Sequence, residues 1–143
     1  MNDGVLSVVA YSDGASRGNP GPASFGAVVY DEAGAELRHI SQALGFATNN
    51  QAEYQGAIAA LEAALDLGAS AVELRMDSEL IVRQLEGRYR VRNLKLRPLY
   101  ERLQELRGRF RRFAVKHVPR EKNRVADRLA NEALDREATR GST

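Results

Sequence analysis

Apolar and polar positions along this chain change period several times, and each change marks an element. Residues 5–11 form a short apolar run, rich in β-branched side chains and bounded by turn formers, which predicts a buried strand with Asp13 at its end. The next stretch, Gly14-Ala15-Ser16-Arg17-Gly18-Asn19-Pro20-Gly21-Pro22, holds three Gly and two Pro and predicts a tight loop before a second strand over residues 24–30. Asp31-Glu32-Ala33-Gly34 predicts a hairpin turn into a third strand over residues 36–42. Three strands in direct succession predict an antiparallel meander.

The period then lengthens. Thr48-Asn49-Asn50 precedes residues 51–67, where Ala, Leu, Ile and Glu recur at helical spacing and Gly68 supplies a stop; a helix with a polar cap is expected, carrying Glu53 in its first turn. Residues 71–76 alternate as a fourth strand with Asp77 at its end, followed by a short helix through Gln84. Residues 96–109 read as an amphipathic helix with Leu96, Leu99, Tyr100, Leu103 and Leu106 on one face and arginines on the other. A fifth strand over 113–118, a polar loop over 119–122 and a closing helix over 123–138, with Asp127 in its first turns, complete the pattern. The ends, 1–4 and 139–143, are expected to fray. The order implies an α/β fold, a five-stranded mixed sheet flanked by helices. Open sheets of this kind bind ligands at the carboxyl ends of their parallel strands.

Composition narrows the chemistry. A chain of 143 residues suits one compact domain. The absence of cysteine excludes disulfides, thiolate nucleophiles and cysteine metal sites. The N-terminus lacks the features of a signal peptide, and no apolar run approaches the roughly 18 residues of a membrane span, so a soluble cytoplasmic protein is expected. The net charge of +2 conceals an asymmetry: fourteen Lys or Arg stand against four Glu between Arg83 and Lys122, leaving the remainder acidic. A basic segment suits a polyanion, though charge runs are also common on solvated helix faces.

The acids carry the sharper signal. Asp13, Glu53, Asp77 and Asp127 fall at strand ends or early in helices, and they converge if the first and fourth strands are adjacent. Singly, each also has an ordinary explanation, because helix N-termini favour negative charge. Together they need hard cations, since clustered carboxylates raise one another's pKa. All-oxygen ligation favours Mg²⁺ or Mn²⁺ over zinc. Two such ions, roughly 3.5–4 Å apart, would serve hydrolysis of a phosphodiester.

Four segments occur in order: Asp13-Gly14-Ala15-Ser16-Arg17-Gly18-Asn19-Pro20-Gly21-Pro22-Ala23, Thr48-Asn49-Asn50-Gln51-Ala52-Glu53-Tyr54, Met76-Asp77-Ser78 and Asn123-Arg124-Val125-Ala126-Asp127-Arg128-Leu129-Ala130. With them the chain resembles the type 1 ribonucleases H from about Val8 to Leu134. The resemblance implies strand order 3-2-1-4-5 with the first three strands antiparallel, and metal ligation by Asp13, Glu53, Asp77 and Asp127. It also implies cleavage of the RNA strand of an RNA–DNA hybrid with two Mg²⁺ ions, Mn²⁺ substituting, to leave 5′-phosphate and 3′-hydroxyl ends. Ser16, Asn19, Asn49 and Asn50 would touch the hybrid backbone, while Thr48 and Asn93 match positions that grip a phosphate of the DNA strand. Short amides and hydroxyls suit that task, and the 2′-hydroxyl separates RNA from DNA.

The chain departs from the family in places. A basic, Trp-containing insertion found in some members is absent; residues 87–97 are short, and Arg88, Arg90, Arg92, Lys95 and Arg97 are the candidates to replace it in part. Glu79 stands where Gln is frequent. For the loop histidine of many relatives the candidates are His117 and Arg120; His117 has the right titration range but falls at the predicted end of strand five, where a structural role is equally open. His39 is expected at the surface. Two rival readings remain: a catalytically silent module binding hybrid or double-stranded RNA, and another nuclease or strand transferase of the same fold. Double-stranded RNA as a secondary substrate and a monomeric state complete the expectations.

Overall fold

The computed structural model describes residues 6–141. In chain order it contains β1 (Leu6–Ser16), β2 (Gly21–Asp31), β3 (Glu36–Ala47), α1 (Asn49–Asp66), β4 (Ala69–Met76), α2 (Glu79–Leu85), α3 (Arg97–Arg107), β5 (Arg112–His117) and α4 (Arg124–Gly141), with a 3₁₀ turn at Arg120–Lys122 before α4. One sheet has the order β3-β2-β1-β4-β5, as the resemblance implies. β2 pairs antiparallel with both β1 and β3, while β4 is parallel to both β1 and β5.

The first three strands run longer than their apolar patterns. β1 continues through Asp13 to Ser16, pairing Asp13 with Gly26 and Ser16 with Ala23, so Asp13 lies within a strand rather than at its end. Antiparallel pairing satisfies the backbone groups of a segment whose glycine content reads as loop. The loop proper shrinks to residues 17–20, closed by the Arg17 N–H donating to the Pro22 carbonyl at 2.8 Å, with a cis Asn19–Pro20 bond. Relative to the parallel pairing, Asp13 does overhang: the last β1–β4 pair is Tyr11 with Arg75. β3 likewise extends to Ala47, past the expected end at residue 42, with register shifts against β2. The 31–34 turn forms as expected, with Asp31 Oδ1 accepting the Ala35 N–H at 2.9 Å and Gly34 at φ 88°.

α1 begins earlier than its apolar period. Thr48 is the N-cap, its hydroxyl accepting the Gln51 N–H while the Gln51 side chain accepts the Thr48 N–H, a complete capping box. Asn49 and Asn50 therefore belong to the first turn and Glu53 to the second. At the other end of the chain, α4 continues to Gly141, so residues 139–141 are helical rather than frayed; the expectations for 1–4 and 142–143 fall outside the described residues.

α1 and α4 cover opposite faces of the sheet. A Cβ at Gly14 would strike the α1 backbone at Glu53 N, and Gly56 of α1 lies against Phe25, the β2 partner of Gly14. A Cβ at Gly26, the next residue and hence on the other face, would strike the Ala126 carbonyl of α4. The main core lies on the α1 side, where Val8, Ala10, Val29, Leu74 and Met76 of the sheet meet Tyr54, Leu61, Leu85, Leu103 and Leu106.

Candidate metal centre

Each acid is delivered by a different element. Asp13 overhangs the β1–β4 ladder, Glu53 projects from the second turn of α1, Asp77 directly follows β4, and Asp127 lies in the first turn of α4. Adjacency of the parallel strands β1 and β4 brings the first and third together, and the close seating of α1 on Gly14 brings Glu53 down to them. Asp13, Glu53 and Asp77 each offer a carboxylate oxygen within 4.8 Å of the other two. Asp13 and Glu53 are buried and Asp77 is half-buried. Asp127 stands beside this trio, near enough to Asp13 to raise its pKa, and its Oδ1 accepts from Asn131 Nδ2 at 3.2 Å.

The electrostatics follow from that crowding. Burial, and then the Glu53 charge, hold Asp13 far above the usual carboxylate range. Burial also raises Glu53, although the neighbouring Asp13 carboxyl and the Gly14 N–H, donated to Glu53 Oε1 at 2.9 Å, pull the other way. Asp77 is raised by burial and drawn back by the Asn123 amide and by the charges of Arg120 and His117.

Glu53 Oε2 is buried without a hydrogen-bond partner. An unsatisfied carboxylate oxygen in a cluster of acids is costly unless a cation takes it up. The donors are hard oxygens, and no thiolate exists to soften them, so the residues present fit a hard divalent cation.

A family model described as reverse transcriptase-like matches residues 11–133. The N-terminal RNase H domain of Rv2228c from Mycobacterium tuberculosis is 49% identical with a TM-score of 0.88, covering 90% of this chain and 98% of that one. RNase H1 from the archaeon Halobacterium salinarum gives 50% identity and a TM-score of 0.88, covering 90% of this chain and 98% of that structure. The chain belongs to the ribonuclease H family. LC11-RNase H1, isolated from compost and solved in complex with an RNA/DNA hybrid, is 43% identical with a TM-score of 0.87, covering 92% of this chain and 99% of that one. Against full-length sequences the coverage is smaller: the chain spans 36% of Rv2228c and 64% of the Halobacterium ribonuclease HI.

Around this ribonuclease H centre the remaining expected residues fall into two groups. Ser16, Asn19, Thr48, Asn49 and Asn50 gather where the β1–β2 loop meets the start of α1, with Asn19 Oδ1 accepting the Asn49 N–H at 3.0 Å. Asn93 stands apart in the exposed turn before α3, its Oδ1 accepting the Lys95 N–H at 2.9 Å. His117, exposed at the end of β5 and in register with Met76, and Arg120 both flank Asp77. Glu79 points its charge at Arg83, at 3.4 Å. His39 is exposed as expected, bonded to Glu36.

Sequence reasoning missed Asn123 as a site residue. It is 1% exposed, donates Nδ2 to the Ser12 carbonyl at 2.9 Å and so ties the start of α4 to β1 beside Asp77. The sequence pattern makes it the first residue of the closing helix, and nothing in the sequence shows that it bridges to a strand 111 residues away.

Proposed function

We propose that this chain is an endoribonuclease that hydrolyses the RNA strand of RNA–DNA hybrids, leaving 5′-phosphate and 3′-hydroxyl ends. The observation that carries this reading is the buried trio Asp13, Glu53 and Asp77 with Asp127 beside it. Its likeness to a ribonuclease solved with a bound hybrid supports the choice of substrate. The four acids would hold two Mg²⁺ ions, or Mn²⁺ in their place. The ions would supply water activation and neutralisation of the charge developing at phosphorus.

The chain's own residues do the rest. Gly14 holds Glu53 in place through its N–H, and Asn123 ties the start of α4 to β1 beside Asp77. Ser16, Asn19, Asn49 and Asn50 present small polar groups to the backbone and sugars of the duplex, and Thr48 and Asn93 grip a DNA-strand phosphate. His117, exposed beside Asp77, would accept or return a proton at the leaving oxygen. Arg90, Arg92 and Lys95, exposed and without an ion-pair partner among the described residues, add phosphate affinity in place of the missing insertion. No described helix is long and apolar enough to cross a membrane. We read the chain as one domain acting as a cytoplasmic monomer, with double-stranded RNA as a secondary substrate.

The test is cleavage of an end-labelled hybrid with Mg²⁺ or Mn²⁺, with duplex DNA and duplex RNA as controls, comparing the native chain with Asp77→Asn. Metal-dependent cutting of the RNA strand that vanishes in Asp77→Asn is the expected result. Hybrid binding without any cutting by the native chain would instead support a silent binding module.

A further inference from the structure

Among the described residues, five large apolar side chains are exposed, and only Phe46, Tyr89 and Leu94 exceed half exposure, at 74%, 52% and 78%. Single exposed apolar residues need no explanation. Phe46 is different in its placement. It lies directly opposite Pro22, itself exposed, so the two form a continuous apolar rib across the ends of β2 and β3. Thr48, two residues on, has extended backbone (φ −81°, ψ 162°), so the alternation of an extended chain puts its side chain on the same side as Phe46. The rib thus borders the polar group formed by Asn19, Thr48 and Asn49, on the rim of the acid centre.

Its distance from that centre is bounded on both sides. Asp13 pairs with Gly26 and Phe46 with Pro22, so Phe46 lies two strands over from Asp13 and four residues along, about 10 Å laterally and about 13 Å lengthwise, or roughly 16 Å in all. Along the chain, Glu53 is four helical residues from Asn49, a rise of about 6 Å, and Phe46 is three residues further, at most about 10 Å. A separation of roughly 16 Å is well beyond the step between neighbouring nucleotides of one strand, so Phe46 meets the duplex across the wide, shallow minor groove, at the opposite strand.

We propose that Phe46, with Pro22, packs on the deoxyribose of the uncleaved strand and makes the enzyme prefer DNA there; this rests on the hybrid-cleaving reading. The chemistry is that of the 2′ position. In DNA it carries only hydrogens, and a phenyl ring covers it at no polar cost. In RNA it carries a hydroxyl, which the ring would strip of water without offering a hydrogen bond. The small polar residues beside the rib can read either sugar, so the apolar rib is the element that separates them.

The test measures binding by fluorescence anisotropy in an Asp77→Asn background with Mg²⁺, so that substrate stays intact. The hybrid is compared with duplex RNA of the same sequence, which differs chiefly in the 2′-hydroxyls of the second strand. Phe46→Ser is expected to weaken hybrid binding by about tenfold, the value of burying much of one aromatic ring. Duplex RNA binding should change by less than about twofold, and Phe46→Leu should restore most of the preference. Melting temperature should stay within about 2 °C, because the side chain is exposed. In the Asp77-intact enzyme the loss should fall on KM rather than kcat. Equal weakening for both duplexes, or none for the hybrid, overturns the proposal while leaving the native chain's cleavage in place; a native chain that cuts no hybrid overturns the underlying reading instead.

Discussion

The backbone N–H of Gly14 donates to Glu53 Oε1 at 2.9 Å, and the same glycine leaves room for the helix that carries Glu53. A Cβ at this position would lie 2.3 Å from Glu53 N and 2.5 Å from the Ala52 carbonyl carbon, both backbone atoms that cannot swing aside. Gly14→Ala should therefore lift the start of α1 off β1. Urea denaturation should show a loss of about 1–3 kcal/mol, the usual range for overpacking, and metal-dependent activity should fall even at concentrations where the protein stays folded.

The acid cluster makes stability depend on pH in a definite direction. Asp13, Glu53 and Asp77 all have raised folded-state pKa values, Glu53 reaching about 7, against about 4 in the unfolded chain. Between those values the folded state holds protons that the unfolded state has released. The stabilisation is thus full below about pH 4 and is lost as pH rises through the folded values. With a chelator present, the melting temperature should fall from pH 5 to pH 8, and saturating Mg²⁺ or Mn²⁺ should flatten the profile. Glu53→Gln should raise metal-free stability at pH 8 by about 1–2 kcal/mol, reduce the metal effect and abolish cleavage. A metal-free melting curve insensitive to pH would contradict this account.

α4 is seated by hydroxyls on the strands beneath it. Ser24 Oγ donates to the Ala130 carbonyl and Ser41 Oγ to the Leu129 carbonyl, one turn beyond Asp127, while Gly26 allows the close approach. Ser24→Ala loses one buried bond, an expected cost of about 1 kcal/mol by thermal denaturation. Gly26→Ala should be worse, because its Cβ would sit 2.2 Å from the Ala126 carbonyl oxygen. Both should also weaken metal binding, measured by calorimetry, by displacing Asp127.

The basic segment before α3 makes a salt-dependent prediction. If Arg90, Arg92 and Lys95 each neutralise a phosphate, replacing all three with Ala should reduce the slope of log K against log salt by about 2–3. Hybrid affinity would fall steeply at low salt and little at high salt. An unchanged slope would mean that these cations only solvate the surface.

Several features were legible from the sequence alone because their causes are local. The capping box at Thr48 and Gln51, the Gly68 stop, the 31–34 hairpin and the apolar stripe of α3 all depend on groups within a few residues of one another. The four acids were also legible, through their motifs. What the sequence could not settle arises between distant segments. Asp13 is in a strand because β2 offers partners to Gly14, Ala15 and Ser16, whose composition reads as loop. β3 runs to Ala47 for the same reason. Gly14, which reads as part of a loop, and Gly26, inside the predicted second strand, are contact points for two helices on opposite faces. Tertiary packing alone drew Asp13, Glu53 and Asp77 into one buried trio, left Asp127 beside it and recruited Asn123 across 111 residues. Periodicity records which face of an element is apolar, but which elements meet, and how closely, is fixed only when the whole sheet closes around its core.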